Sequence, residues 1–166
     1  MDIQSVLEDL TSEDRRATAL LRREHEVILA AFRQYHDAAG GPRSPREAIA
    51  QEIGSLLEMH DRVERTVVYP ALAPYHGPLI RAFMAEHDEL AACIERIRTA
   101  RDGPERLFAR VDRLEQMARV HIAQEESSLL AAVEREQPGL NAALYGSIVR
   151  EKERLAGTVT ELESRS

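Results

Sequence analysis

The sequence contains almost no cysteine, since Cys93 is the single one in 166 residues. One cysteine cannot form a disulfide within the chain, and it excludes zinc and iron–sulfur sites that need several thiolates. Long apolar runs are also missing. The longest, such as 27–32, fall far below the ~18 residues that a membrane-spanning helix needs. We therefore expect a chain that does not cross a membrane and is not built around thiolate ligands.

Blocks of basic residues are absent as well. The chain has 22 Lys and Arg against 29 Asp and Glu, a formal net charge of −7, which argues against a nucleic-acid partner. The first ten residues carry Asp2, Glu8 and Asp9 without a basic segment, so no secretory signal is predicted. No nucleophile–base pair, phosphate loop or dinucleotide fingerprint is recognisable. We expect a single cytoplasmic domain over 1–166.

Glycine and proline cluster at four places, near 40–42, 70–78, 102–104 and 138–139. The apolar periodicity between them predicts helices over about 13–39, 45–69, 78–102, 104–135 and 139–163. Short connections favour an all-α fold, an up-down-up-down four-helix bundle over about 13–135. A short amphipathic N-terminal segment precedes it (Ile3, Val6, Leu7, Leu10). The additional C-terminal helix over about 139–163 either packs on the bundle or meets a protein partner, including a second copy of the chain.

Each bundle helix carries an apolar seam with spacings of three and four residues, and each seam contains one histidine. The second and fourth seams add a glutamate one turn after the histidine, on the same helical face. The seams are Thr18, Leu21, His25, Ile28, Phe32; Ile49, Ile53, Leu56, His60, Glu64, Val67; Ile80, Phe83, His87, Leu90, Ile94; and Leu107, Val111, Leu114, Ala118, His121, Glu125, Leu129.

The polar seam residues repeat along the chain. His25 and His87 are 62 residues apart, and 61 residues separate both His60 from His121 and Glu64 from Glu125. At ~1.5 Å per residue, all four histidines lie about 21–26 Å from the bundle end that carries the first and third connections. The sequence therefore predicts one layer that contains four imidazoles and two carboxylates.

Two interpretations of this layer are open. Protonated glutamates hydrogen-bonded to neutral histidines could form a polar network, which would make the chain a helical interaction module. Ionised, unpaired carboxylates in the dry seam would cost several kcal/mol each, and metal cations remove that cost directly. Metal binding is the interpretation that we favour, with His25, His60, Glu64, His87, His121 and Glu125 as the ligands.

The number of ligands indicates two ions, because one structural zinc usually takes four ligands. If both glutamates bridge, each ion receives two histidines, two carboxylate oxygens and a bridging oxo or hydroxo group, which leaves one position open for a further ligand. Imidazole and carboxylate suit iron, manganese and zinc. Iron is the metal that would allow redox chemistry at the open position.

The order H…HxxxE…H…HxxxE resembles that of the hemerythrin-like cation-binding proteins, over about residues 13–135. The supporting stretches are 23–26, 60–70, 86–89 and 121–130. The resemblance implies a non-haem di-iron centre in a four-helix bundle, carried by the six residues named above.

The third helix departs from the pattern of the oxygen-carrying hemerythrins, which have two histidines four residues apart there. The positions one turn either side of His87 are Phe83 and Ala91, which cannot ligate, and Arg65 stands where relatives often have an acid. The resemblance therefore favours reaction with, or sensing of, small oxidants (O2, peroxide, nitric oxide) over reversible oxygen carriage. The alternative is a metal-storage or metal-sensing protein without turnover, so enzymatic activity is left open.

The remaining candidates are predicted to lie outside the ligand set. His36 is about 16 Å along the helix from His25, and His76 falls in the expected turn. Cys93 is expected to fill apolar space. Tyr69 is expected to pack or to form hydrogen bonds, and the alternative, which the resemblance implies, is that its phenol lies near the centre. Glu24 and Glu86, each directly before a seam histidine, are expected to face water rather than to support the ligands.

Overall fold

The computed structural model describes residues 14–38, 43–99 and 104–163. Within these ranges the chain is helical and contains no strand. In chain order the elements are α1 (Ala17–Asp37), α2 (Arg43–Val63), a first π-helical turn (Glu64–Val68), α3 (Tyr69–Arg98), α4 (Pro104–Glu125), a second π-helical turn (Glu126–Leu130), α5 (Ala131–Glu136) and α6 (Pro138–Glu163). This is the predicted all-α bundle with an additional C-terminal helix. The predicted N-terminal segment and the clusters at 40–42 and 102–103 lie outside the described residues.

None of the helices in the described ranges combines the length and the apolar character that crossing a membrane requires.

The break predicted over 70–78 is much shorter than expected. The chain is helical from Arg43 to Arg98, and within α3 only His76 leaves helical geometry (φ −129°, ψ 27°). Pro70 directly follows the first π-helical turn, where the spacing of the backbone hydrogen bonds changes. Pro74 and Pro78 lie inside α3 on either side of the kink at His76. Pro78 falls at the start of the segment after the kink, where a missing N–H removes no helical hydrogen bond. The expectation of an extended turn was wrong because the helix accommodates these prolines with a single kinked residue.

The core consists of two apolar clusters, one on each side of the predicted polar layer. Along α1, Leu21 belongs to one cluster and Ile28 to the other, with His25 between them. Along α3, Phe83 and Leu90 flank His87 in the same way. The layer therefore lies across the middle of the bundle, sealed by apolar side chains above and below.

Nearly all the predicted seam positions are buried, and the differences all lie in the second seam. All the seam residues of α1, α3 and α4 are buried. In the second seam Ile49, Leu56 and Val67 are only half-buried, and the residue after each of them (Ala50, Leu57 and Val68) is buried instead. The offset is already present at Ile49, well before the first π-helical turn, so the buried face of this helix is rotated by one residue from the predicted seam.

The C-terminal helix α6 is part of the core. Leu144, Ile148 and Leu155 are buried in the same cluster as Leu21 and Phe83. The Asn141 amide accepts a hydrogen bond from the Thr18 backbone N–H and donates one to the Thr18 hydroxyl, both at 3.0 Å. The structure thus places α6 on the bundle, with polar as well as apolar contacts to α1. The side chains of Val159 and Leu162, two further apolar residues of α6, are outside the described part of the structure.

Shortening a core side chain of α6 tests this packing. We expect Ile148→Ala to lower the free energy of unfolding by about 2–4 kcal/mol, because Ile148 is fully buried and the substitution leaves a cavity. Denaturant unfolding of the full chain measures this. Val120→Ala is the control, since Val120 is 57% exposed and should change stability by less than about 0.5 kcal/mol. Equal, small effects of the two substitutions would show that α6 adds nothing to the core.

Candidate metal centre

The structure brings the six predicted residues together in one buried layer. Each is 3% exposed or less, and the two glutamates are completely inaccessible to solvent. They come from four helices and a π turn: His25 from α1, His60 from α2, Glu64 from the first π turn, His87 from α3, and His121 and Glu125 from α4.

The ligand atoms form two groups that share a glutamate. In the first group the atoms of His25, His60, Glu64 and Glu125 lie within 4.8 Å of one another, and in the second those of Glu64, His87 and His121 do so. We call these groups the first and the second position. Their overlap at Glu64 gives the geometry expected of a carboxylate between two ions.

Both π-helical turns begin at the glutamates of the repeated motif. Glu64 is the first residue of one turn, and Glu125 directly precedes the other. Single π turns inside α-helices occur frequently at functional sites, and here they widen the helix where its side chains enter the layer. The sequence gives no direct signal for them, but their occurrence at equivalent places in both halves agrees with the internal repeat.

Each histidine is oriented by a carboxylate outside the layer. In every case Nδ1 lies 2.7–3.0 Å from a carboxylate oxygen that can accept its hydrogen, which directs Nε2 toward the centre. Such outer partners fix the tautomer of a ligating histidine and raise its basicity. The four pairs are His25–Glu126 at 2.8 Å, His60–Glu24 at 3.0 Å, His87–Asp61 at 2.7 Å and His121–Glu86 at 2.8 Å.

Two of these supports correct the expectation from the sequence. Glu24 and Glu86 do not simply face water, since each bonds the histidine of the neighbouring helix, and Glu24 is only 7% exposed. Both precede a seam histidine directly, and this repeated Glu-His pair was the signal that could have identified them. Asp61 was not singled out, because it contacts a histidine on another helix and lies next to the seam rather than on it.

Arginine reinforces two of the outer carboxylates. Arg65 lies 2.5 Å from Asp61 and 2.7 Å from Asp88, and Arg22 lies 3.0 Å from Glu126. Arg65 therefore does not replace an acid at the centre. It holds the acid that orients His87.

Tyr69 enters the centre by forming hydrogen bonds, which agrees with the expectation of hydrogen bonding and with the alternative that its phenol lies near the centre. Its hydroxyl lies 2.9 Å from Glu64, 3.0 Å from Nε2 of His87 and 3.1 Å from Glu125. Burial raises the pKa of this phenol, and the two carboxylates raise it further. The hydroxyl is therefore neutral, and it can donate a hydrogen bond to either glutamate.

Protons compensate the buried negative charge in the structure as it stands. Burial raises the pKa of Glu64, and so does the charge of Glu125. Burial acts against His25 carrying a charge, but hydrogen bonds to Glu125 and Glu126 outweigh it and raise the pKa of His25 to about 10. A protonated imidazole cannot bind a metal, so cation binding would displace these protons while meeting the same demand for positive charge.

The donor set fits metal cations by a second observation. Nε2 of His121 is buried without a hydrogen-bond partner, and Oε1 of Glu64 and Oε2 of Glu125 have only an imidazole nitrogen beside them, Nε2 of His60 at 3.3 Å and Nε2 of His25 at 3.4 Å. Buried polar atoms are nearly always hydrogen-bonded, so unpartnered ones need an explanation such as an ion. All three belong to the two positions, and two imidazole and carboxylate sites of this kind suit iron, manganese or zinc.

A small cavity reaches the layer between α2, α3 and α4. Its volume is about 20 Å³, which is room for one water-sized molecule. The lining is largely apolar around the histidines and comprises Ile28, Leu57, Glu58, His60, Asp61, His87, Leu90, Ala91, Ile94, Ala118, His121 and Ile122. Ala91 is also exposed, so the cavity reaches the surface beside it.

The other side chains that were set aside lie outside the layer, as expected. His36 is exposed and pairs with Glu115 at 2.5 Å. His76 lies at the kink of α3, 3.0 Å from Gln137. Cys93 is buried in the apolar core.

The comparison with protein families agrees with this geometry. The model of the hemerythrin HHE cation-binding domain matches residues 16–133, a range that includes all six layer residues and ends before α6. No curated protein and no solved structure matches the chain.

The metal content of variants tests whether Glu64 is shared by the two positions. We expect Glu64→Ala to lose both ions, because Glu64 belongs to both positions, whereas His121→Ala should retain the ion of the first position. Elemental analysis of purified protein gives the ions per chain, and circular dichroism verifies that the helices persist. His36→Ala, which changes a surface histidine, should keep the full content. Two ions retained by Glu64→Ala would contradict the assignment.

Proposed function

The chain belongs to the hemerythrin HHE cation-binding family, and we propose that its centre holds two iron ions and reacts with or senses small oxidants. The residues that would hold the iron are the four histidines and two glutamates of the layer, with Glu64 between the two ions. An oxo or hydroxo bridge belongs to the same proposal. Iron would supply the electron transfer that the side chains of the layer cannot provide.

The observation that carries the oxidant proposal is the cavity against His60, His87 and His121. It leads from the surface to imidazoles of both positions, so a molecule inside it reaches the centre without displacing a helix. Its size and largely apolar wall favour a small, weakly hydrated molecule such as O2, nitric oxide or neutral hydrogen peroxide. An ion with a firm hydration shell would lose that shell on entry.

The third helix explains why the cavity exists. Ala91, one turn after His87, has a side chain too small to fill the space and lines the cavity. Phe83, one turn before His87, packs its ring edge-on against His121 with 5.4 Å between the ring centroids. The two positions that depart from the oxygen-carrier pattern therefore have different roles: one closes the layer, and the other leaves it accessible.

The chain's own groups also control protons at the centre. Tyr69 holds its hydroxyl proton between Glu64 and Glu125, on the side of the layer that faces the apolar cluster of Phe83. Reduction of an oxidant consumes protons, and this hydroxyl is a buried donor within hydrogen-bonding distance of two candidate ligands. The outer carboxylates hold the remaining protons on Nδ1 of the histidines.

Stopped-flow absorption with the iron-loaded, reduced protein tests the proposal. We expect O2, hydrogen peroxide or nitric oxide to change the iron spectrum, and Ala91→Leu to slow that change by about tenfold, which corresponds to ~1.4 kcal/mol in the barrier, because the larger side chain narrows the cavity.

Ala92→Leu is the matched control, since Ala92 is exposed on the same helix and does not line the cavity. It should react at the wild-type rate. If the iron spectrum responds to none of the three oxidants, the proposal is wrong, and the metal-storage alternative takes its place.

A further inference from the structure

A buried lysine on α6 connects the C-terminal helix to the metal centre. Lys152 is only 4% exposed, and its Nζ lies 2.5 Å from Oε1 of Glu24. The other oxygen of Glu24 accepts the hydrogen bond from Nδ1 of His60 at 3.0 Å. A continuous polar path therefore runs from α6 through α1 to a candidate ligand on α2. Residue 152 lies outside the range matched by the family model, which ends at 133.

The burial of this path makes the lysine necessary. Lys and Glu are almost never fully buried unless they are paired, and a buried carboxylate without compensation is costly. Lys152 places its ammonium group against Oε1 of Glu24, which is only 7% exposed. A charged acceptor binds the Nδ1 hydrogen more strongly than a neutral one, so the lysine strengthens the bond that orients His60.

The equivalent support in the other half of the repeat is built differently. Glu86 bonds Nδ1 of His121 at 2.8 Å, as Glu24 bonds His60, but its side chain is 36% exposed. Water screens its charge, and among the described residues no lysine or arginine forms an ion pair with it. The two halves thus present equal ligands to the ions, but only one has a buried, charge-compensated support.

We propose that Lys152 is a positioning residue of the metal centre, which makes the ion at the first position, held by His25 and His60, the more tightly retained of the two. Through the contact between Lys152 and Glu24, α6 is then part of the metal centre and does more than pack against the bundle. The proposal rests on metal binding by the layer, and it does not depend on the reaction with oxidants.

Release of metal to a chelator tests this in the full chain without any oxidant. The protein is loaded with Co²⁺, whose absorption reports its coordination, and the decay is followed after a strong chelator is added. Wild type should lose its two ions in a fast and a slow phase. His121→Ala removes a ligand of the second position and should show the slow phase alone, which assigns that phase to the first position.

Lys152→Met keeps the apolar stem and removes the charge. We expect it to accelerate the slow phase by about 10–100-fold, the usual effect of losing an outer partner of a metal ligand, and to leave the fast phase unchanged. Lys152→Arg should restore slow release because it keeps the charge. Arg150→Met changes an exposed residue of the same helix and should behave like wild type.

A double variant keeps the test decisive if Lys152→Met alone does not fold. Lys152→Met with Glu24→Gln replaces the buried ion pair by a neutral pair of similar size, a change that proteins often tolerate. It should still accelerate the slow phase, because a neutral amide is the weaker acceptor for His60. An unchanged slow phase in the double variant would overturn the proposal, and so would a single phase in wild type or equal acceleration of both phases by Lys152→Met.

Discussion

Two carboxylates, Glu64 and Glu125, lie completely buried between two apolar clusters. The other residues of the centre compensate the negative charge of this pair. A buried carboxylate without compensation costs several kcal/mol. Four imidazoles and one phenol surround the pair within the same layer. Protons on histidine can supply the missing positive charge, and so can metal ions, and an ion would also account for Nε2 of His121, which is buried without a hydrogen-bond partner.

The compensation of charge continues outward from the buried layer, with acidic and basic side chains alternating. The histidines around the carboxylates are each bound by an outer acid, and three of these acids are in turn paired with a cation: Glu126 with Arg22, Asp61 with Arg65 and Glu24 with Lys152. Each outer contact fixes the orientation of the side chain inside it, since a histidine whose Nδ1 is hydrogen-bonded can present only Nε2 to the centre. The bundle therefore supports its polar layer by ordering side chains well beyond the candidate ligands.

The sequence predicted the inner layer because that layer depends on helical periodicity alone. Seam spacing and the i,i+4 pairs place His60 beside Glu64 and His121 beside Glu125 whatever the exact rotation of the helices. The outer acids depend on that rotation, since Glu24 reaches His60 only across a helix–helix contact. Whether Tyr69 reaches the centre could not be decided from the sequence for another reason. It follows Glu64 by five residues, and residues that far apart return to the same face in a π turn but not in an α-helix.

The internal repeat holds to within one residue at the six candidate ligands and at Glu24 and Glu86, and it is lost at other positions around them. Asp61 and Arg65 of the first half correspond to Ile122 and Glu126 of the second, and Tyr69 corresponds to Leu130. The supports of His25 and His87 are therefore obtained from different places, and the phenol enters from one half only. Because α6 adds its lysine to Glu24 and not to Glu86, the asymmetry extends to the C-terminal helix. The two positions share Glu64 and can thus differ in affinity and access for two reasons: the first has Glu125 as an additional candidate ligand, and the contacts around the ligands differ.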